Sequence, residues 1–170
     1  MSTMNVLICQ QPKELVWKQR EIPIPGDNEA LIKIKSVGIC GTDIHAWGGN
    51  QPFFSYPRVL GHEICGEIVG LGKNIADLKN GQQVAVIPYV ACQQCPACKS
   101  GRTNCCEKIS VIGVHQDGGF SEYLSVPVAN ILPADGIDPQ AAALIEPFAI
   151  SAHAVRRAAI APGEQDRKSV

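Results

Sequence analysis

The chain has 170 residues, 45% hydrophobic and 18% charged, which suits a folded domain with a real core and excludes a low-complexity or disordered protein. A net charge of −1 without a basic run argues against a nucleic-acid or anionic-membrane surface. No signal-peptide pattern opens the chain and no segment is long enough to span a bilayer, so the expected setting is a reducing cytoplasm, where eight cysteines read as metal ligands or buried thiols rather than crosslinks.

Residues 5–9, 15–19 and 30–37 carry short β-like runs, the last two separated by Pro23, Pro25, Gly26 and Asp27. In the third run Ile32 and Ile34 alternate with Lys33 and Lys35, the period of a strand with one wet face. Residues 38–57 hold Gly38, Gly41, Gly48, Gly49, Pro52 and Pro57, which predicts a loop with a short helix near residues 42–47. Two further strands are expected over residues 63–70 and 83–88, and two more over 111–114 and 120–126, around a turn at Gln116, Asp117, Gly118 and Gly119. Many short strands at such spacing suggest a barrel or sandwich rather than a parallel sheet.

The β material is interrupted over residues 90–109 by Cys92, Cys95 and Cys98, spaced every third residue, with Cys105 and Cys106 following. A Cys-x-x-Cys turn places two thiolates on one ion, and two more cysteines complete a tetrahedron at about 2.3 Å per ligand. Four protein ligands leave no open position, so this zinc is read as structural and as a direct contributor to folding. Spacing alone leaves the fourth ligand open between Cys105 and Cys106.

From Asp138 the pattern turns helical, with Asp138 as N-cap, Pro139 in the first turn and alanines after it. Pro147 is expected to restart the helix, with Glu146 at the junction. Phe148, Ala152, Val155 and Ala159 then form an apolar stripe, stopped by Pro162 and Gly163. The stripe reads either as a core face or as an uncovered face that favours association. Residues 166–170 show no periodicity and read as a frayed or foreign tail.

Gly38-Ile39-Cys40-Gly41-Thr42-Asp43-Ile44-His45 and Gly61-His62-Glu63 together offer a thiolate, an imidazole and a carboxylate, the set a catalytic zinc with one open position uses. His62 and Glu63 are adjacent, so on a regular strand they point to opposite faces. If both reach one ion the backbone bends there; otherwise Glu63 supports the site from outside. Thr42 on these grounds is as much an N-cap as a proton relay. Asp43 is read as orienting a ligand. His115 and His153 read as structural, and Cys9 and Cys65 as buried small hydrophobes.

These segments, with Gly61-His-Glu-x-x-Gly66-x-x-x-x-x-Gly72, the cysteine lobe, and Gly118-Gly119-Phe120-x-Glu122-Tyr123 followed by Val126-Pro127, resemble the zinc-containing medium-chain alcohol and polyol dehydrogenases in order and approximate spacing over about residues 5–165. With Glu146-Pro147-Phe148-Ala149 and His153-Ala154, the wording is most similar to the sorbitol, threonine and hexonate dehydrogenase branch, and within it to enzymes of the L-galactonate 5-dehydrogenase type. The resemblance implies an α+β, mainly β chain: a GroES-like β-barrel with the zinc lobe inserted, spanning residues 1–137, and a helical connector over 138–163. It selects Cys106 as the fourth lobe ligand. It implies a second, catalytic zinc on Cys40 and His62 with Glu63 or Glu146, polarising the oxygen of a small-molecule alcohol, with Thr42 and His45 relaying its proton. Trp47, Phe53 and Phe54 are expected to shape the pocket.

The family passes hydride to NAD or NADP on a Rossmann domain that opens with Gly-x-Gly-x-x-Gly. The sequence holds no such turn after Pro162-Gly163, and Gly70-Leu71-Gly72 leads into no helix. The expectation is therefore a catalytic domain cut at its boundary, with residues 164–170 a truncated or foreign tail, inactive alone, from an enzyme that is homo-oligomeric when whole. The competing reading is a zinc-stabilised binding or structural domain without catalysis.

Overall fold

The computed structural model describes residues 2–52, 54–161 and 163–164; Met1, Phe53, Pro162 and residues 165–170 lie outside it, and with them the pocket role expected of Phe53 and most of the tail expected over 164–170. In chain order the elements are β1 (Thr3–Gln11), β2 (Glu14–Glu21), β3 (Glu29–Gly38), α1 (Gly41–Gly48), β4 (Arg58–Val59), β5 (Glu63–Leu71), β6 (Gln83–Val86), β7 (Tyr89–Val90), α2 (Pro96–Lys99), β8 (Ser110–Val111), β9 (Tyr123–Pro127), β10 (Ile131–Pro133), α3 (Pro139–Ala143) and α4 (Ile145–Ala158).

Antiparallel pairing gives one sheet in the order β2-β1-β4, a larger one in the order β10-β6-β5-β3-β9, and a small β7-β8 ribbon. The two larger sheets are stitched by Leu7, whose N–H donates to Phe120 O at 2.8 Å, and by a bridge between Val6 and Ser121. This is the expected barrel-like β unit. In β3 Ile32 is fully buried while Lys33 and Lys35 are exposed, and Lys35 pairs with Glu67 on β5 at 2.9 Å, as the alternation requires. Ile32, Ile64, Ile68, Val84, Ile112 and Val126 form the main core; each buried Ile or Val contributes about 1.5–3 kcal/mol.

Four expectations need correction. The strand expected over 120–126 begins only at Tyr123, since Phe120 N–H donates to Leu60 O at 3.0 Å and Ser121 makes an isolated bridge to Val6. Residues 111–114 do not form a strand: β8 ends at Val111, Gly113 turns at φ 80°, and His115 Nδ1 accepts the Val111 N–H at 3.0 Å. The strand expected over 83–88 stops at Val86: Ile87 N–H still donates to Asn130 O at 2.8 Å, in line with the β6–β10 pairs, but Pro88 has no N–H to carry a ladder on. The stripe on the last helix is not a core face, since α4 has no buried residue and Phe148 and Val155 are 72% and 62% exposed.

The helical segment breaks at Leu144, two residues before Glu146, and Pro147 falls in the first turn of α4, where a missing N–H costs nothing. Asp138 caps α3 as expected, accepting from the Gln140 and Ala141 N–H groups at 2.9 and 3.2 Å. Ala142 and Ala143 of α3 pack with Cys65 and Ala85, which fixes where α4 begins. Among the described residues no helix is long and apolar enough to cross a membrane.

Candidate metal centres

The four-cysteine lobe hangs from the β7-β8 ribbon. Cys95 precedes Pro96 at the start of α2, so a single short turn carries Cys95 and Cys98, while Cys106 returns after a 3-10 turn at Thr103–Cys105. The sulfurs of Cys92, Cys95, Cys98 and Cys106 all lie within 4.8 Å of one another. Cys92 and Cys98 sulfurs are 3.9 Å apart, close to the edge of about 3.8 Å of a tetrahedron with 2.3 Å zinc–sulfur bonds and far from a disulfide bond of about 2 Å. Cys105 is exposed and stands outside the group.

The backbone prepares these sulfurs for charge. The N–H groups of Gln94 and Cys95, then the Cys106 thiol, pull Cys92 down to about 6, and the N–H groups of Cys98 and Glu107 pull Cys95 down. Cys106 sulfur accepts from the Cys92 and Lys108 N–H groups, each at 3.3 Å. Burial pushes Cys98 the other way, up to about 12. A dication at the centre of the four favours all the thiolates, so the donor set fits zinc.

The second group lies where α1 faces the start of β5. Cys40 precedes α1 as its N-cap, so the N-cap alternative for Thr42 does not hold; Thr42 sits inside the first turn. Asp43, 4% exposed, accepts the Cys40 N–H at 2.9 Å through Oδ2 and the Gly61 N–H at 3.1 Å through Oδ1, tying the two ligand segments together. Gly61 has φ 88°, and β5 begins only at Glu63. His62 thus stands before the regular strand, and this bend lets adjacent His62 and Glu63 converge.

The donor atoms of Cys40, His62 and Glu63 lie within 4.8 Å of one another. His62 and Glu63 are each 7% exposed, and among the described residues His62 Nδ1 has no hydrogen-bond partner and lies 3.8 Å from Asp43 Oδ1. An imidazole, a thiol and a carboxylate gathered in this mostly buried place fit a zinc site with an open position. Thr42 Oγ1 lies 3.4 Å from His62 Nε2 and is half-buried; His45, one turn on, is exposed.

Glu146 is not in this group: its Oε1 accepts the Tyr89 hydroxyl at 2.5 Å. Partial burial first, then that hydrogen bond and the charges of Glu146 and Cys40, push the Tyr89 phenol up. Tyr89 is the site residue that sequence reasoning missed, because its partner lies 57 positions away and no local pattern marks the pair. Trp47 lines an apolar cavity of about 410 Å³ with Ile44, Leu60 and Phe120, whereas Phe54 packs edge-on against Tyr56 at 4.9 Å between ring centroids. Cys9 and Cys65 are fully buried, and burial raises both thiols.

Residues 26–136 match the family model described as the alcohol dehydrogenase GroES-like domain. An uncharacterized zinc-type alcohol dehydrogenase-like protein of Haemophilus influenzae is 44% identical over 164 residues, 95% of this chain and 48% of that protein. An L-threonine 3-dehydrogenase of a Chelativorans species is 34% identical over 156 residues, covering 88% and 45%. Among solved structures, a short chain alcohol dehydrogenase (rspB) from Escherichia coli CFT073, complexed with the cofactor NADH, superposes with a TM-score of 0.86 at 40% identity, covering 92% of this chain and 46% of that one. The chain spans about half the length of the curated relatives it matches.

Proposed function

The chain belongs to the alcohol dehydrogenase GroES-like domain family, and from that membership we propose that it is the substrate-holding part of a zinc-dependent dehydrogenase that oxidises a hydroxyl of a polyol or sugar acid to a carbonyl. The observation that carries this reading is the convergence of Cys40, His62 and Glu63 within 4.8 Å, because a module held together only by its lobe has no use for a second buried donor set. Cys40, His62 and Glu63 would hold the catalytic zinc, and Cys92, Cys95, Cys98 and Cys106 the structural one. Bound zinc supplies a Lewis acid that lowers the pKa of an alcohol oxygen.

The chain's own residues supply the proton path. Thr42 Oγ1, beside His62, accepts the substrate hydroxyl proton and donates its own toward His45, which lies three residues on along one face of α1 and reaches solvent. The hydride leaves the same carbon for NAD or NADP, the cofactor class named for the solved relative. Residues 1–137 act as the catalytic domain and 138–163 as a connector. Hydride transfer by this polypeptide alone is proposed to be negligible, since its sequence carries no Gly-x-Gly-x-x-Gly turn to seat a pyrophosphate.

Zinc content per chain, measured by elemental mass spectrometry, tests the reading. Two ions are expected, falling to one in Cys40→Ser with the fold retained. A single ion that only lobe substitutions remove would instead make the chain a zinc-stabilised scaffold without a catalytic site.

A further inference from the structure

The two carboxylates that compete for the second metal group are held in different ways. Glu63 fills space that Gly38 leaves free on the neighbouring strand: a methyl at Gly38 would lie 2.0 Å from Glu63 Oε2. Glu146, in the first turn of α4, accepts the Tyr89 hydroxyl through Oε1 at 2.5 Å and lies outside the group. Tyr89 is itself fixed from behind. Asn130, 7% exposed, donates from Nδ2 to Ile87 O at 2.7 Å and to Tyr89 O at 3.1 Å, and accepts the Ile87 N–H at 2.8 Å. The Tyr89–Val111 register of the β7-β8 ribbon secures the other side. A buried amide and a strand pair therefore hold the phenol in place, and the phenol holds Glu146.

We propose that Tyr89 is a positioning residue that keeps Glu146 away from Cys40, His62 and Glu63, and so leaves Glu63 as the carboxylate of that donor set. The inference rests on the reading of this group as a zinc site. Removing only the hydroxyl, in Tyr89→Phe, keeps the ring and the backbone pairing but frees the Glu146 carboxylate to reach the ion.

The probe is Co²⁺ loaded into protein whose lobe retains zinc, read as visible absorption and by chelator competition. Cys40→Ser, which lacks the second site, serves as the baseline. Glu63→Gln is expected to weaken Co²⁺ binding by about tenfold or more, while Glu146→Gln changes it by less than about twofold. Tyr89→Phe is expected to shift the d–d bands as a new oxygen ligand enters, and the double variant Tyr89→Phe/Glu146→Gln to return the wild-type spectrum. The return distinguishes positioning from mere damage to the fold. An unchanged Tyr89→Phe spectrum, a shift that persists in the double variant, or a Glu146→Gln loss as large as that of Glu63→Gln overturns the proposal. Wild-type protein that binds no more Co²⁺ than Cys40→Ser does overturns the zinc-site reading itself, and this inference with it.

Discussion

Gly38 and Glu63 are register partners on β3 and β5, and the glutamate side chain occupies the place that any side chain at Gly38 would need, with Oε2, Cβ and Cδ at 2.0, 3.0 and 3.1 Å from a methyl built there. The clash involves the whole stem of Glu63, so rotating the carboxylate cannot relieve it. Gly38→Ala is therefore expected to expel Glu63 from the donor set, lower zinc affinity at the second site by about 10- to 100-fold, and leave the lobe ion bound. Zinc stoichiometry under graded chelator, with circular dichroism as a control for folding, checks this. Two tightly held ions in Gly38→Ala would show that Glu63 is dispensable.

Asp43 holds Cys40 and Gly61 by their backbone N–H groups from a site only 4% exposed. Asp43→Ala leaves both donors buried and unsatisfied, at about 1–3 kcal/mol each, and Asp43→Asn keeps an amide oxygen for one of them. The expected order of denaturation midpoints for the zinc-loaded protein is wild type, then Asn, then Ala. An Ala variant as stable as wild type would mean that the loop is held by other contacts.

Alkaline pH probes the contact of β5 with α3. Cys65 sits with Ala85, Ala134, Ala142 and Ala143, and burial first, then the charge of Asp138, raises its thiol above the ordinary value of 9.0. A thiol is charged when deprotonated, so a raised folded pKa gives stability that is present below the unfolded value and is lost as pH rises past it toward the folded one. Unfolding free energy should decline above about pH 9, by at most about 1.4 kcal/mol per pH unit for this group. Cys65→Ala is expected to shallow the decline, leaving the parts due to Cys9 and Tyr89, which burial shifts in the same direction. Identical alkaline slopes in both proteins would remove Cys65 from the account.

What could be read in advance depended on how local each cause is. The alternation of Ile32 and Ile34 with Lys33 and Lys35, the cap at Asp138 and the Cys-x-x-Cys repeats lie within a few residues of one another, and each appears in the structure where its chemistry put it. Strand β4 is two residues long and exists only because Ile8 and Cys9 pair with Val59 and Arg58 some fifty positions away. Strands β7 and β10, of two and three residues, are no easier to read, and the Tyr89–Glu146 pair is longer in range still. Adjacent His62 and Glu63 can meet at one ion only where the backbone bends, and Gly61 at φ 88° turns the chain just before them. Whether the apolar stripe of α4 was inside or outside could not be read, because the same Phe148 and Val155 pattern serves either face.

The lobe should unfold alone. Among the described residues, the hydrophobic side chains that pack there beside its cysteines are Ala91, Ala97 and Ile109, and burying so little apolar surface contributes at most a few kcal/mol, roughly 3–4, against an apparent 10 kcal/mol or more for a structural zinc. Cys98→Ser is accordingly expected to release one ion and to expose the amides of residues 91–109 to rapid hydrogen exchange. The barrel should keep its protection, since Ile32, Ile64, Ile68 and Val84 take from the lobe's edge only Val90, which the β7-β8 ribbon holds, and the two pairs of that ribbon give the disorder a place to stop. Loss of protection throughout would make the lobe part of the main cooperative unit, whereas full metal content in Cys98→Ser would refute the four-thiolate centre.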